Sequence, residues 1–299
     1  MKTTFKHLLL VLAFISCEKE KEIPSLGQVT VSEVTNYAAN ISGMVTNDGD
    51  SNIDTIGICW ALHEMPTVEN STYILENVHS IEYLITNLIP KSKYYVRIFA
   101  INEKGLSYSA ETSFTTQPNE TDVYTDPRDG QKYKTVKIGE KWWFAENLNY
   151  HIADSWYFKD DSLNYSTKGR LYTHESATNA IPEGWSLPTD NDWVRLEKQL
   201  GISNEDINVD HWRGVYEAQY LWEDREFDFD VIWNGIRDES YSVLYYNDGS
   251  AYFWTSIENK EINETKSWYF CRQVYETTKS IRRLSKPESN GLSVRCVKQ

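Results

Sequence analysis

The sequence predicts a protein that is mostly β with a small α+β part, and two observations support this class. Residues 28–116 alternate apolar and polar residues in short runs separated by turn residues, as half-buried strands do. Ten of the eleven tryptophans follow residue 140, so the second part has a different composition. We therefore divide the chain into a leader (1–16), a tether (17–27), a β-sandwich (28–116), a linker (117–122) and a second domain (123–299).

Residues 1–16 have the pattern of a secretory leader. Lys2 and Lys6 precede an apolar run that is too short to span a bilayer as a helix. The segment 14–17 resembles the lipobox of bacterial lipoproteins, although Phe14 stands where Leu is usual. The resemblance implies cleavage before Cys17, acylation of that cysteine and attachment to a membrane. The alternative is a secretory leader with a cysteine near the cleavage site by chance.

The tether begins with alternating charges at 18–22. Such a run is typical of a solvated tether, but acidic residues after the lipidated cysteine also resemble the surface-export signal of Bacteroidota lipoproteins. We expect an outer-membrane lipoprotein facing the cell exterior, with the periplasmic face as the alternative. The formal net charge of −14 argues against nucleic acid as a partner. Two tripeptides resemble the O-glycosylation site of that phylum, at Thr55 and at Ser162.

The first domain has about seven predicted strands and no helical periodicity, which favours a β-sandwich. Leu88, Pro90, Ser92, Tyr94 and Val96 fall at alternate positions. They resemble the tyrosine corner of fibronectin type III domains, in which a buried tyrosine hydroxyl bonds to nearby backbone.

The segment 57–60 resembles strand C of those domains, with its core tryptophan at Trp60. We interpret the neighbouring Cys59 as a small core hydrophobe. The resemblance implies that this domain is a spacer.

The second domain begins with two predicted strands around the turn 127–130. Residues 190–200 are predicted to form a helix, because Thr189 is a good N-cap and Trp193, Leu196 and Leu200 share one face. Strands are predicted again at 253–256, 268–274 and 291–297.

Five motifs of this domain resemble, in the same order, the Fibrobacter succinogenes major paralogous domain. They lie at 134–148, 169–172, 182–193, 252–256 and 291–298. The resemblance implies a fold related to C-type lectins and formylglycine-generating enzymes. Many relatives have a cysteine where this chain has Ile181, so Cys296 lacks that partner. We therefore expect a disulfide between Cys296 and Cys271, the other cysteine of the domain.

No catalytic constellation is found in the sequence, and we do not expect an enzyme. The histidines are scattered and lack zinc spacing. There is neither a nucleophile elbow nor a phosphate-binding loop. Cys271 and Cys296 lack the neighbours of the copper-binding pair of formylglycine-generating enzymes. We expect no cofactor, and the calcium-dependent sugar site of C-type lectins is not supported because Gly235 stands where its Trp-Asn-Asp motif needs Asp.

The candidate binding residues are aromatic side chains in the loop-rich part of the second domain. Flat rings with polar edges suit stacking on sugars, whereas tryptophans in small β-rich domains mostly fill the core. Both readings stay open for Trp212, Tyr216, Tyr220, Trp222, Trp233, Tyr245 and Tyr246.

We therefore predict a binding or adhesion protein whose second domain binds a glycan or an extracellular host or matrix protein. The alternatives are a polysaccharide-processing enzyme or accessory, and a structural envelope lipoprotein without a soluble ligand.

Overall fold

The computed structural model describes residues 20–215, 217–222, 224–238, 249–262 and 265–298. These residues form two compact units. The first contains 20–30, 42–82 and 95–112, and the second contains 31–41, 83–94 and 113–298. None of the helices in the described ranges is long and apolar enough to cross a membrane.

Nine strands precede residue 116 and form two antiparallel sheets. One has the order β1-β3-β2 with β6 beside β3, and the other has the order β5-β4-β7-β8 with β9 beside β7. A Cβ atom on Gly43 of β3 would lie 2.6 Å from the Ile98 side chain of β7, so the two sheets pack closely there. The strands are β1 Ser25–Leu26, β2 Thr30–Ser32, β3 Ala39–Asn47, β4 Ile53–Ala61, β5 Ser71–Glu76, β6 Ser80–Ile85, β7 Lys93–Asn102, β8 Gly105–Tyr108 and β9 Thr112–Thr115.

The tyrosine corner is present as predicted. Tyr94 is buried, and its hydroxyl oxygen accepts a hydrogen bond from the backbone N–H of Ile89 at 3.0 Å. Cys59 is fully buried, which confirms its interpretation as a core residue. Trp60 differs from the expectation, because it is only half-buried near the end of β4. Ile56 and Ile58 fill the core on that face of β4 instead.

The second unit combines short strands with short helices, and the predicted hairpin and helix are both present. The Thr189 hydroxyl accepts a hydrogen bond from the backbone N–H of Asp192, and the Asp192 carboxylate accepts one from the backbone N–H of Thr189. The elements are β10 Thr121–Thr125, β11 Lys132–Ile138, β12 Lys141–Phe144, β13 Ser155–Trp156, α1 Ser162–Tyr165, β14 Leu171–Tyr172, α2 His174–Ala180, α3 Asp190–Gln199, β15 Trp212–Arg213, β16 Ser250–Glu258, β17 Trp268–Tyr275, β18 Ile281–Pro287 and β19 Val297–Lys298. The mostly β class with a small helical part is therefore confirmed.

Two antiparallel sheets organise this unit, in the orders β10-β11-β12-β19 and β15-β18-β17-β16. Two buried apolar clusters lie around them. One includes Trp143 and Trp193, and the other includes Trp254 and Phe144. Five tryptophans of the domain framework were expected to fill the core. Trp143, Trp185, Trp193 and Trp254 are buried, whereas Trp268 is only half-buried.

Candidate ligand-binding cleft

A cleft of about 880 Å³ opens beside helix α2 and the ends of strands β16, β17 and β18. We call it the His174–Tyr269 cleft. Its walls combine aromatic rings, hydroxyl and amide groups and two carboxylates. The lining residues are His174, Glu175, Thr178, Asn179, Ile181, Trp185, Ser186, Leu187, Thr189, Ser256, Tyr269 and Glu288.

His174 is held in the cleft by hydrogen bonds to the backbone. It is the first residue of α2, whose N-cap Thr173 accepts a hydrogen bond from the backbone N–H of Ser176. The His174 backbone N–H donates to the carbonyl of Glu288 at 2.9 Å. The Nε2 atom of the imidazole lies 3.0 Å from the carbonyl oxygen of Thr255. Because a carbonyl oxygen can only accept, Nε2 carries the hydrogen, and in the neutral ring Nδ1 keeps its lone pair.

Aromatic rings enclose the imidazole. The ring of Tyr269 stacks on it, with 3.4 Å between the centroids and 12° between the planes. Trp254 meets it edge-on at 5.3 Å. Only 8% of the His174 surface stays exposed. This burial lowers the pKa of His174 from its usual value, despite the hydrogen bond to Thr255 and the charge of Glu258, so the ring is neutral at pH 7.

The loop 182–189 forms a rigid wall of the cleft. Gly184 has a φ of 80°, a left-handed conformation that favours glycine in the turn. Trp185 then packs edge-on against Phe144 at 4.5 Å. The Pro188 carbonyl accepts a hydrogen bond from the backbone N–H of Ser256 at 2.8 Å, which joins the loop to β16. The wall is therefore held by core packing and by the sheet.

The electrostatics of the cleft are one-sided. Glu175 and Glu288 line it and are exposed, whereas no lysine or arginine of the described ranges lines it. The pKa of the half-buried Tyr269 is raised by burial and by the charges of Glu258 and Glu288. The arrangement offers hydrogen-bond acceptors and negative charge to a ligand.

The predicted aromatic residues lie elsewhere in the structure. Trp222 and Trp233 are half-buried and form an edge-to-face pair at 5.7 Å. Tyr220 and Trp233 pack against the core cluster of Trp143, and Trp212 lies on β15 with the guanidinium of Arg282 5.9 Å from its ring centroid. None of these four residues lines the His174–Tyr269 cleft. Tyr216, Tyr245 and Tyr246 lie outside the described residues, as does Cys17.

The expected disulfide between Cys271 and Cys296 is not formed. Both thiols are free and buried. Cys271 pairs with Trp254 across β17 and β16, and the backbone N–H of Trp254 bonds to Ser293 on the far side of β16. Ser293 therefore lies two strand spacings of about 4.8 Å from Cys271. This distance exceeds the ~7 Å that a disulfide allows between Cα atoms. Cys296 lies three residues further along the chain from Ser293.

The two glycosylation candidates differ in exposure. Ser162 opens the short helix α1 on the surface and precedes Leu163, which is 94% exposed. Thr55 is half-buried in β4, between β5 and β7. A modifying enzyme would therefore reach Ser162 more easily than Thr55.

Sequence reasoning missed the cleft because its key residues are far apart in the chain. His174 and Tyr269 are brought together only by the packing of α2 on the β16–β17 pair. The Pro-x-Gly-Trp motif at 182–185 was the one available signal, since it marks the loop that walls the cleft. Within the described ranges, no three histidine, cysteine or carboxylate side chains are grouped closely enough to hold a metal ion.

Comparisons with known proteins identify one family and several similar folds. The profile of the Fibrobacter succinogenes major domain matches residues 136–298, more than half of the chain. No curated protein matches the chain.

Three solved structures illustrate the similar folds. A fibronectin type III domain of human collagen XX has 20% identity over 34% of this chain and 99% of its own, with a TM-score of 0.25. The FN1–FN3 domains of chicken CNTN1 have 19% identity over 32% of each chain, with a TM-score of 0.26. The sensor domain of the anti-sigma factor RsgI4 of Pseudobacteroides cellulosolvens has 18% identity over 34% of this chain and 98% of its own, with a TM-score of 0.26.

Proposed function

Because the chain belongs to the Fibrobacter succinogenes major domain family, we propose that it is a surface binding protein whose ligand is a glycan held in the His174–Tyr269 cleft. The observation that carries the proposal is the make-up of that cleft. Its hydroxyl, amide and carboxylate groups line a volume of about 880 Å³ together with the half-buried ring of Tyr269. Ring faces with polar neighbours are what sugar recognition needs.

The loop aromatics of the sequence prediction are the weaker site. Tyr220 and Trp233 pack against the core, and Trp222 forms an edge-to-face contact with Trp233. These rings are therefore partly used for packing, whereas the cleft offers the exposed polar groups of Thr178, Asn179 and both carboxylates.

A glycan panel tests the proposal. The full chain carrying Cys17→Ala, which removes the predicted lipid acceptor, is screened against immobilised glycans. We expect a hit that is lost with Asn179→Ala, an exposed lining residue, and kept with Trp212→Ala outside the cleft. Loss with Trp212→Ala alone would move the site to the loop aromatics. Absence of binding to every glycan on the panel would contradict glycan binding and favour a protein partner.

We also propose that acylation of Cys17 anchors the protein at the outer membrane, facing outwards. The apolar leader, the lipobox-like segment 14–17 and the acidic tether support this location. Labelling with a radioactive fatty acid in a Bacteroidota host should mark the protein and fail with Cys17→Ala. Trypsin added to intact cells should remove it, and survival of the protein would place it on the periplasmic face.

A polysaccharide-processing enzyme is the second candidate, because two carboxylates line the same cleft. Glycosidases use a pair of carboxylic side chains. Hydrolysis of the glycans that bind, abolished by either Glu175→Gln or Glu288→Gln, would establish this activity. Binding without any hydrolysis would contradict this activity and support only the binding function.

A further inference from the structure

We propose that the ligand of the His174–Tyr269 cleft carries a protonated amine, as an amino sugar with a free amino group does. This inference rests on the proposed glycan function and names the class of sugar.

The cleft presents acceptors that no protein group uses. Neither Glu175 nor Glu288 forms an ion pair within the described part of the chain. His174 is more than nine-tenths buried, and its Nε2–H is committed to the Thr255 carbonyl. Its Nδ1 atom makes no hydrogen bond with the described residues, and His174 is one of the residues that line the cleft. A ligand that fills this site therefore has to bring hydrogen-bond donors.

Of the cations Arg128, Lys286 and Lys298, the first two are paired with carboxylates. Arg128 is paired with Asp126 at 2.7 Å, and its guanidinium also donates to the Ala180 carbonyl. Lys286 lies 3.7 Å from Asp238. Lys298 lies over the Trp185 ring, 4.6 Å from its centroid, and does not line the cleft.

No lysine or arginine of the described ranges lines the cleft, so a cationic ligand would balance the charge of its two carboxylates. Glu258 adds to it, since its charge acts on both His174 and Tyr269. An ammonium group donates up to three charge-assisted hydrogen bonds, which are about twice as strong as neutral ones. An acidic sugar would be repelled from the same surface.

The spacing of the acceptors argues for an extended ligand rather than a metal ion. His174, Glu175 and Glu288 do not form a group that could coordinate one cation, as judged over the described residues. Because the acidic groups of the cleft do not converge on one metal ion, they suit a ligand that carries an amine on more than one sugar.

A matched pair of ligands tests the proposal. Glucosamine oligomers and N-acetylglucosamine oligomers of equal length differ only in whether the amine is free. Isothermal titration of the full Cys17→Ala chain is carried out at about pH 6, below the ordinary pKa of an amino group. We expect at least ~10-fold tighter binding of the free-amine oligomer, with an affinity that falls as salt is raised.

Variants distinguish binding in the cleft from attraction to the acidic surface as a whole. The double variant Glu175→Gln and Glu288→Gln should lose the preference for the free amine. Glu183→Gln, at an exposed glutamate that does not line the cleft, should keep it. Circular dichroism of each variant shows that the fold is intact, and both substituted positions in the double variant are exposed.

The outcomes distinguish the two proposals. Equal or tighter binding of the acetylated oligomer would overturn the amine inference and leave glycan binding in place. Unchanged binding of the free-amine oligomer to the double variant would also overturn it, since the acidic surface alone would then explain the affinity. Failure of both oligomers and of a wider neutral and acidic panel would overturn the amine inference together with the glycan function.

Discussion

Cys59, Cys271 and Cys296 are fully buried, so their thiols are shielded from water. Burial raises the pKa of the Cys59 thiol to about 11 and that of Cys271 to about 12, and it also raises the pKa of Cys296. Since the thiolate is the reactive form, these thiols should be inert in the folded protein.

An Ellman titration of the Cys17→Ala chain checks this prediction. We expect no fast reaction in the native protein, and three reactive thiols after denaturation without reductant. A single reactive thiol after denaturation would show that Cys271 and Cys296 are bonded, as the sequence suggested and the structure contradicts.

Tyr94 provides a test of a single hydrogen bond. Its hydroxyl oxygen is the acceptor for the buried N–H of Ile89, so Tyr94→Phe leaves that donor unpaired. We expect the free energy of unfolding in urea to fall by about 1–3 kcal/mol. Tyr165→Phe is the control, because the half-buried Tyr165 ring packs on Phe158 while its hydroxyl makes no hydrogen bond within the described chain. A loss equal to that of the control would contradict the role of the tyrosine corner.

At the scale of elements, helix α3 is fixed to its neighbouring sheet by a buried ion cluster. Glu197 is fully buried on α3 and accepts from Arg213 of β15 at 2.6 Å and from Arg272 of β17 at 2.5 Å. Arg272 also binds Asp190 at the start of α3, and Asp190 accepts from Arg283 of β18 at 3.0 Å. One helix is thus tied to three strands.

Glu197→Gln should destabilise the protein strongly, because it leaves two buried guanidinium groups without full compensation. Removing one partner of such a pair costs about 3–5 kcal/mol, which equilibrium unfolding in urea would measure. The matched control is Glu120→Gln, which breaks the exposed pair of Glu120 with Lys137. There we expect a loss of about 0–1 kcal/mol. Similar losses for both variants would contradict a special role of the buried cluster.

The two longer helices of the second unit show which elements the sequence can predict. Helix α3 was predictable, because its N-cap Thr189 and its apolar face are local signals. Helix α2 spans only His174–Ala180 and was missed. Its seven residues contain two alanines as the sole apolar side chains, so no periodic face stands out. The helix is stabilised by contacts that bury Ala177 and Ala180, which a local pattern cannot reveal.

At the scale of the whole molecule, features encoded by local sequence patterns were predictable, whereas the candidate site, which long-range packing creates, was not. Alternation along each strand predicted a mostly β chain, because strand faces are set by neighbouring residues. The His174–Tyr269 cleft depends instead on the pairing of Thr255 and Tyr269 with a distant helix. The aromatic-rich segment near residue 220 drew attention by composition alone, whereas the structure uses Tyr220 and Trp233 partly for packing.

The stability of the whole fold should depend on pH through His174. Burial lowers its pKa in the folded protein relative to the ordinary value of about 6.5 expected on unfolding. Between these two values the unfolded chain binds a proton that the folded chain does not. The free energy of unfolding therefore falls as the pH drops below about 6.5, and it levels off for this group below the folded pKa.

Asp190 causes a second decrease in the free energy of unfolding, at lower pH. Burial alone would raise its pKa, but Arg272 and Arg283 outweigh that effect and hold it below the usual value. The stability that this carboxylate provides is present above its ordinary pKa of about 3.9 and is lost as the pH falls through the lower folded value. The two declines are therefore separated on the pH axis.

Urea titrations at a series of pH values resolve the His174 contribution. His174→Phe keeps a ring for stacking on Tyr269 but cannot bind a proton, so the decline just below pH ~6.5 should shrink in this variant. His151→Phe, at an exposed histidine, should keep it, because His174 is still present. The lower decline due to Asp190 should persist in both. An unchanged upper decline in His174→Phe would show that another group carries it, and that the buried imidazole of the cleft does not govern the stability of the fold in this range.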